Sequence, residues 1–470
     1  MVFVIYDVIL LVLFVVFTSL FLYIKRDNLK REGLFFLYRT KWGIKLIERI
    51  GKKYQKTLKI LGYFSIVLGY ILMAAMIYLF GKIVWIYAFD SALVRAINIP
   101  PIVPLIPYID KIVNIGLPPF YFTYWIIILS IIAITHEFSH GIFAVYNRIK
   151  IKTTGFGFFP FFLPIFPLAF VEFNEKKMSK KSLSSQLAIL SGGTFANILT
   201  AVFFLIVLAV FFSFAFAPAG VIYDSYSYSV VPVAGITMVN NISLSNPTYN
   251  EIIPLIKNDS LNEIKANGIK YAGIKGFSGD NSQVALYDDA PAINSGLSAI
   301  ILKINGQDVT SIESFRSELA KYSQGEKIIM TTKEDQIAET EVELAKNPKN
   351  ESLPFLGIAF VGRSSQGLSG KIFSEISAFK KPNVYYEPKF DGTSLFVYNL
   401  LWWLIIISIS VALVNMLPMG IFDGGRFFYI TVLALTKNEK IAKKAFSILS
   451  FLLLFLIAVI MFFWIKSSFT

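Results

Sequence analysis

Six long apolar runs constrain this chain more than any other feature of its sequence. They are Phe3 to Ile24, Ile60 to Phe80, Tyr121 to Tyr146, Leu187 to Phe216, Ser394 to Leu417 and Ala445 to Ile465. Each has about the 20 apolar residues that an α-helix needs to cross a bilayer. Charged residues make up 16% of the 470-residue chain, against about 25% in ordinary soluble domains. The sequence therefore predicts a polytopic α-helical membrane protein and excludes a soluble, disordered or coiled-coil chain.

The charges between the runs predict the topology. The three loops Lys25 to Lys59, Tyr146 to Gln186 and Gly424 to Lys444 together hold 24 basic and 6 acidic residues. The long segment from Pro218 to Thr393 instead holds 16 basic and 20 acidic residues. By the positive-inside rule, the basic loops are cytoplasmic and the acidic segment lies outside the cell membrane. The net charge of +13 then faces anionic lipid of the bilayer, and we expect no nucleic-acid partner.

One apolar segment, Thr153 to Phe173, does not fit the count of six spans. It contains three prolines, Pro160, Pro164 and Pro167, which exclude a smooth helix. Irregular backbone persists at membrane depth only where protein or water covers it. We therefore expect a re-entrant hairpin that enters from the cytoplasmic side. The alternative is a proline-kinked seventh span, which would reverse the topology of everything after it.

The segment from Pro218 to Thr393 has the mixed apolar and polar residues of a separate α+β module. Ile300 to Val309 predicts a strand, an Asn-Gly turn and a returning strand, and Ile312 to Tyr322 has helical spacing. With Ala290 to Leu297 before them and Leu356 to Phe360 as a closing strand, this order resembles a PDZ domain of the permuted, bacterial kind. Domains of this kind bind extended peptides along a strand edge.

Some features of the exterior segment stay open. The part from Pro218 to about Asp289 is an insertion or a second small module. An inert domain with a chance Asn-Gly hairpin is the alternative to the PDZ-like interpretation. Three glycosylation sequons, at Asn241, Asn258 and Asn350, agree with an exterior location, because no other part of the sequence contains one.

Both histidines of the chain fall in one pentapeptide of the third run, His136-Glu137-Phe138-Ser139-His140. Residues i and i+4 lie on one face of a helix, so imidazoles at this spacing can bind one Zn²⁺. Glu137 is offset from both, so it can stay off the metal and take a proton from a water molecule. A charge at the bilayer centre costs at least about 2.5–3.5 kcal/mol, so such residues predict function. The structural alternative is a pair of hydrogen-bonded core histidines.

A catalytic zinc needs a third protein ligand and one open position. The chain has no cysteine and no further histidine, so this ligand must be Asp or Glu. Asp423, just after the fifth run, is the best candidate, because both motifs lie toward the cytoplasmic ends of their spans. Glu172 is a weaker rival, because a lysine cluster follows it closely. The structural alternative for Asp423 is a cap on the next helix.

A small-residue segment, Ser191 to Asn197, lies inside the fourth run. Small residues let helices approach closely, so packing explains Gly192 and Gly193 as well as a catalytic role does. Asn197 is different, because a buried amide needs a partner. It could donate a hydrogen bond to a developing oxyanion or tie two helices together. The sequence leaves both interpretations open.

Three features together resemble the site-2 proteases, a family of intramembrane zinc metalloproteases. They are the HExxH motif within a span, the small-residue segment with its asparagine in the next span, and Asn415-x-x-Pro418 followed by Asp423. The resemblance covers about Tyr121 to Asn197 and Ser394 to Phe427, and a PDZ-like insertion between these parts fits the family's arrangement. One departure is that the family often has Gly-Pro where this chain has two consecutive glycines.

The resemblance implies roles for particular residues and a class of substrate. His136, His140 and Asp423 would be the zinc ligands, Glu137 the general base, and Asn197 and Asn415 neighbours of the substrate peptide bond. Thr153 to Phe173 would align the substrate as an unwound strand. The substrates would be single-span membrane proteins, usually trimmed first on the outside by another protease. The PDZ-like domain would then screen them by exterior size or by a newly exposed C-terminus.

The sequence thus predicts four regions. They are residues 1–120 with two spans, a basic cytoplasmic loop and an exterior loop, 121–217 and 394–470 with the two parts of the catalytic core, and 218–393 as the exterior PDZ-like region. The first run lacks a basic start and a small-residue cleavage site, which predicts an uncleaved anchor.

Three other classes of protein are alternatives. A cation transporter would place several ionisable residues along a path through the membrane, whereas this chain has one compact cluster. A non-catalytic scaffold that presents its PDZ-like domain would not need an intact HExxH motif. A membrane protease that cuts soluble loops would use a glutamate as third ligand, and the later spans contain no suitable one.

Overall fold

The computed structural model describes residues 2–32, 35–90, 94, 100–103, 105–112, 117–158, 167–257, 261–347, 353–360 and 379–469. The chain forms two compact units. Met1–Leu208 and Phe396–Thr470 make up the first, called the core unit below. Ala209–Leu395 makes up the second, called the inserted unit.

Helices occupy most of the core unit, and three short described helices lie in the inserted unit. In chain order, the described helices are α1 (Val2–Ile24), α2 (Ile44–Lys53), α3 (Gln55–Phe89), α4 (Ile109–Ile112), α5 (Phe122–Tyr146), α6 (Glu175–Met178), α7 (Leu183–Ala215), α8 (Tyr249–Ile252), α9 (Pro291–Asn294), α10 (Ile312–Leu319), α11 (Asp391–Asn415), α12 (Asp423–Thr436) and α13 (Glu439–Phe469). Short 3-10 turns lie at Arg26–Asn28, Val233–Gly235 and Ile253–Leu255.

Among the described residues, six of these helices are long and apolar enough to cross a membrane: α1, α3, α5, α7, α11 and α13. The six predicted spans are therefore confirmed as helices of suitable length and apolar character, which fits a polytopic helical membrane protein. Several helices extend beyond the apolar runs. The 35 residues of α3 measure about 52 Å at 1.5 Å per residue, which is more than a bilayer's hydrocarbon core.

Strands occur in both units, as one sheet in the core unit and several sheets in the inserted unit. In the core unit they are β1 (Leu29–Glu32), β2 (Phe35–Thr40), β3 (Ile151–Phe158) and β4 (Pro167–Phe173). In the inserted unit they are β5 (Phe216–Ile222), β6 (Ser225–Tyr226), β7 (Tyr228–Pro232), β8 (Ile236–Val239), β9 (Ile242–Ser243), β10 (Ile264–Ala266), β11 (Ile269–Phe277), β12 (Gln283–Asp288), β13 (Ile300–Ile304), β14 (Gln307–Asp308), β15 (Lys327–Lys333), β16 (Ile337–Glu343), β17 (Ala345–Lys346), β18 (Pro354–Phe355), β19 (Ile358–Ala359) and β20 (Val384–Pro388).

The four strands of the core unit form an antiparallel sheet in the order β1-β2-β3-β4. The register of β3 on β4 places Thr154 opposite Val171. The described parts of the proline-rich segment are therefore strands, and the alternative of a kinked seventh helix is wrong for them. Pro160 and Pro164 lie outside the described residues. The partner of β3 on its other side is β2, which comes from the basic loop after α1.

Helix α5, which carries the HExxH motif, is held firmly at its start. Near its start, Tyr124 and Trp125 are fully buried in a cluster shared with α11. At its start, the buried Asp7 of α1 accepts hydrogen bonds from the backbone N–H groups of Phe122 (2.7 Å) and Thr123 (2.9 Å). These N–H groups have no partner within the helix, so Asp7 caps α5 from a neighbouring span. Tyr108 donates a further bond of 2.6 Å to the same carboxylate.

The inserted unit contains the predicted Asn-Gly hairpin. Strands β13 and β14 pair through a turn in which Asn305 and Gly306 have φ angles of 46° and 80°. A larger sheet runs in the order β16-β15-β13-β5-β20, and α10 follows the hairpin with Ser311 as its N-cap. The expected closing strand is short, because β19 covers Ile358–Ala359 and pairs with β6.

The second sheet of the inserted unit, β7-β12-β11-β10-β8-β9, repeats the local plan of the first. Asn305 donates its N–H to Ile329 O (2.8 Å) and accepts from Ile329 N–H through its side chain (2.7 Å). Asn240 makes the same pair of bonds with Glu263, at 2.8 and 3.1 Å. In both cases the asparagine lies in the turn of a hairpin, and its bonding partner lies in or next to a later strand. A short helix with a capping box lies between the hairpin and that strand. The two segments thus share one supersecondary design.

The structure describes one of the three sequons. Asn241 lies in the exposed turn between β8 and β9, with a φ angle of 67°. Asn258 and Asn350 lie outside the described residues.

Candidate metal centre

The two histidines lie one helical turn apart on α5, as their spacing predicts. The Nε2 atoms of His136 and His140 are 3.1 Å apart, and the two side chains are buried. Their rings are nearly perpendicular, with an interplanar angle of 76°. Both imidazoles therefore direct their Nε2 atoms to one point beside the helix.

Asp423 completes this cluster from the start of α12. Its Oδ2 lies 3.2 Å from Nε2 of His136 and 3.2 Å from Nε2 of His140. The chain turns sharply between α11 and α12, and Gly425 makes that turn possible. A Cβ atom at Gly425 would lie 2.1 Å from the carbonyl oxygen of Met419. The Asp-Gly-Gly sequence thus brings a carboxylate to two imidazoles that lie more than 280 positions earlier in the chain.

The three ligand atoms fit a metal ion. Tetrahedral coordination with bonds of about 2.0–2.1 Å places neighbouring ligand atoms about 3.3–3.4 Å apart. The observed separations between the ligand atoms are 3.1, 3.2 and 3.2 Å. Two nitrogens and one oxygen also form the ligand set of known catalytic zinc sites, and three protein ligands leave the fourth position open. His136, His140 and Asp423 are therefore a candidate metal site.

Helix α7 faces the cluster through a glycine. A Cβ atom at Gly193 would lie 2.4 Å from Nε2 of His140 and 2.6 Å from Nε2 of His136. Atoms cannot approach this closely, so any side chain at Gly193 would displace the two imidazoles. The close approach therefore explains this glycine of the small-residue segment.

Two groups of α7 contact the rear nitrogens of the imidazoles. His140 donates its Nδ1–H to the carbonyl oxygen of Ile189 at 2.7 Å. The side-chain nitrogen of Asn197 lies 3.0 Å from Nδ1 of His136. Asn197 is fully buried. The structure therefore places Asn197 behind a ligand candidate.

Glu137 lies beside the cluster without joining it. Its Oε2 accepts a hydrogen bond of 3.0 Å from the backbone N–H of Val171 in β4. It also borders a cavity of about 20 Å³, whose lining includes Thr40, Trp42 and Thr154. A water molecule needs about 10–15 Å³ of such volume, so this cavity has room for one. A carboxylate in this position can act as a base toward a water molecule at the site.

The rival ligand Glu172 is engaged elsewhere. Its carboxylate binds Arg39 (3.2 Å), Lys152 (3.0 Å) and Thr153 (2.9 Å) across the sheet of the core unit. Although burial alone raises the pKa of the Glu172 carboxyl, these hydrogen bonds outweigh it and hold the pKa below its usual range. Among the described residues, the group that can hold a metal contains Asp423 and not Glu172.

Asn415 is the other asparagine that was expected to lie near the substrate peptide bond. It is the last residue of α11 and is half-buried. Its side chain forms no hydrogen bond within the part of the chain that the structure describes. Its expected role near the substrate therefore stays a prediction.

Sequence reasoning missed two functional groups, the carbonyl of Ile189 and the N–H of Val171. Both belong to the backbone, so residue type gives no signal for them. The spacing of α7 offered a partial signal, because Ile189, Gly193 and Asn197 recur every fourth residue and so lie on one face.

Comparison with known proteins agrees with this geometry. The model of peptidase family M50 matches residues 124–459, which is more than half of the chain and includes all three ligand candidates. The chain belongs to peptidase family M50. This is the site-2 protease family, so the resemblance found in the sequence is confirmed and the protein is a membrane metalloprotease. No curated protein matches the chain.

Proposed function

We propose that this M50 protein is an intramembrane zinc endopeptidase, which hydrolyses peptide bonds within the transmembrane segments of single-span membrane proteins. The observation that carries the proposal is the convergence of His136 and His140, from a helix able to span a membrane, with Asp423. Zinc bound there would supply a Lewis acid for the scissile carbonyl and lower the pKa of a water molecule toward about 7. Nitrogen and oxygen ligands in tetrahedral positions favour zinc over magnesium or calcium.

Glu137 would move the proton in this reaction. It is next to His136 in the sequence but outside the ligand cluster, so its carboxylate is free to accept a proton from the attacking water. It would then give that proton to the leaving amine. The N–H of Val171 holds the Glu137 carboxylate 3.0 Å away and so fixes its direction.

The edge of β4 would align the substrate. A helical peptide bond is protected by its hydrogen bonds, so the substrate must unwind to present a carbonyl. In the sheet order, β4 is the last strand and pairs with β3 on one side. Its other edge reaches the catalytic helix, because the N–H of Val171 binds Glu137. An unwound segment that adds along this edge as a further strand would pass Glu137. We propose that the β3–β4 hairpin is re-entrant and has this role.

Charge supports a definite orientation for the protein. We place the basic loops and the metal centre toward the cytoplasm, and the inserted unit outside the cell membrane. Because the chain has no cysteine, single cysteines can test this directly. We expect a membrane-impermeant thiol reagent to label Ser282→Cys, in the inserted unit, on intact cells. Lys180→Cys, before α7, should be labelled after permeabilisation. The reverse pattern would overturn the orientation. Both positions are exposed.

A cleft supports the PDZ-like interpretation of the inserted unit. It lies between α10 and residues 353–360, has a volume of about 500 Å³, and is lined by Phe315, Leu319, Pro354 and Phe360 among others. PDZ-like domains bind extended peptides between a helix and a strand edge. We propose that this unit screens substrates, by their exterior size or by a C-terminus that an earlier cut has exposed.

The central test uses proteoliposomes that contain the purified protein and a designed substrate. The substrate has one apolar span of about 20 residues, interrupted by a Gly-Asn pair that weakens its helix. A second version carries a folded exterior domain, as an untrimmed substrate would. We expect cleavage within the span of the first version and much slower cleavage of the second. A chelator should abolish cleavage, and zinc should restore it.

Mass spectrometry of the products decides between the alternatives. Cuts confined to the soluble flanks would contradict the proposal and favour a membrane protease that cleaves loops. Equal cleavage of the two versions would contradict the screening role alone. Absence of cleavage, with no metal bound to well-folded protein, would favour the scaffold interpretation.

A further inference from the structure

Helix α7 presents one face to the two imidazoles, and that face has a regular order. Ile189, Gly193 and Asn197 are four residues apart, so they lie above one another on the helix. His136 and His140 are also four residues apart on α5. The carbonyl of Ile189 meets His140, the side chain of Asn197 meets His136, and Gly193 lies between them. Each imidazole thus has its own partner from α7 behind it.

The contact of His140 shows what such a partner does. A neutral imidazole carries one proton, and the nitrogen without the proton is the one that binds a metal. The carbonyl of Ile189 is an acceptor, so it retains the proton on Nδ1 and leaves the lone pair on Nε2. That Nε2 atom lies 3.2 Å from Asp423 in the ligand cluster. The backbone of α7 therefore selects the metal-binding tautomer of His140.

The contact of His136 differs, because a donor and not an acceptor faces its Nδ1 atom in the structure. Asn197 faces Nδ1 of His136 with its amide nitrogen, which is a donor. Its Oδ1 atom is buried and has no hydrogen-bond partner among the described residues. A His136 that binds a metal through Nε2 carries its proton on Nδ1, and this proton would then point at a second donor. A half-turn of the amide about its Cβ–Cγ bond removes the conflict, because it exchanges Oδ1 and Nδ2.

We propose that Asn197 is a positioning residue for His136: in the metal-loaded protein its Oδ1 accepts the Nδ1–H of His136 and fixes the metal-binding tautomer. The inference rests on the metal site proposed above. Partners of this kind orient ligand imidazoles, and their loss typically lowers metal affinity by about 10–100-fold. Asn197 thereby gains a role that differs from direct contact with the substrate.

The competing role, donation to an oxyanion, makes a different demand on the side chain. That role needs the amide N–H and does not affect metal affinity. Positioning needs an acceptor oxygen and does affect it. Asn197→Asp keeps an oxygen at nearly the same place and removes the donor. Asn197→Leu has a similar volume and removes both.

The test measures zinc affinity by chelator competition on detergent-purified full-length protein. We expect Asn197→Leu to bind zinc about 10–100-fold more weakly than wild type, and Asn197→Asp to bind it about as tightly as wild type. Cobalt(II) added in place of zinc gives a visible absorption spectrum as a second readout. That spectrum should change in Asn197→Leu and stay close to wild type in Asn197→Asp.

Thr200→Val is the matched control. Thr200 lies about one turn further along α7, is buried, and bonds to Ala196 O and Thr135 Oγ1 instead of a ligand. It should leave zinc affinity unchanged, which separates a local effect from general damage to the helix. If Asn197→Leu does not fold, Asn197→Ala replaces it, because alanine also lacks the acceptor.

Wild-type zinc affinity in Asn197→Leu would overturn the inference, and so would equal losses in Asn197→Leu and Asn197→Asp. The second result would mean that the amide donates to His136. Neither result affects the proposed metal site, because wild-type protein would still bind zinc. A folded wild-type protein that binds no zinc would instead contradict the proposed function itself.

Discussion

Replacing Asp423 by alanine should leave the purified protein with little bound metal. The two imidazoles would remain, but the change removes one of three ligand atoms and the negative charge that faces the cation. The loss of affinity should exceed the roughly 10–100-fold that removal of an outer partner costs. Elemental analysis of detergent-purified protein measures metal per chain directly. We expect about one zinc in wild type and little in Asp423→Ala, as in His136→Ala.

Glu172→Gln is the matched control for this experiment. Glu172 is the rival ligand, but its oxygens bind Arg39, Lys152 and Thr153. It should therefore retain the metal content of wild type. If Asp423→Ala also retains it, Asp423 is not a ligand. Its carboxylate would then serve only the start of α12, where it is the first helical residue.

The catalytic helix was predictable because its two histidines are spaced by about one helical turn. His136 and His140 are four residues apart, and a helix places such residues on one face whatever surrounds them. The apolar runs fixed the six spans for a similar reason, because a bilayer accepts few other structures. Asp423 was reached by elimination among residue types. Its distance from the histidines, 3.2 Å, depends on packing that no local pattern encodes.

The strands near the site were harder to predict. Strand β2 lies in a basic loop and owes its structure to pairing with β3, more than 110 positions away. The local sequence does not show this partner. The part from Pro218 to about Asp289, which the sequence left open as an insertion or a second small module, was hard to interpret for a different reason. Its turn uses Asn240-Asn241, with positive φ angles at both, where the recognised hairpin has Asn-Gly.

Asn197 shows why a residue can be found and its role still be missed. The sequence indicated that a buried amide in a span needs a partner, and it left two roles open. The structure places the amide against Nδ1 of His136. Which of its two atoms faces the ring depends on the tautomer, and the tautomer depends on the metal. The role of Asn197 therefore depends on the orientation of its amide and on the position of one proton, and residue spacing gives no information on either.

Glu137→Gln should keep its metal and lose cleavage of a membrane-embedded helix. Glutamine has nearly the same shape as glutamate. Its side-chain oxygen can still accept the hydrogen bond from the backbone N–H of Val171, which is 3.0 Å long in the wild-type protein. It cannot take a proton from water. General-base catalysis contributes typically about 10²–10⁴-fold to rate, so cleavage should fall by at least this factor. Rates are measured with the designed single-span substrate in proteoliposomes, and zinc per chain is measured on the same samples.

Cleavage rate and zinc content together distinguish a role of Glu137 in the reaction from a role in metal binding. Zinc at the wild-type level with cleavage lost means that the carboxylate acts on the reaction and not on the metal. Loss of both would mean that Glu137 supports the ligand cluster, so its offset position beside His136 would have been misinterpreted. Full activity in a zinc-loaded Glu137→Gln protein would contradict the mechanism, because a glutamine cannot take the proton from the attacking water.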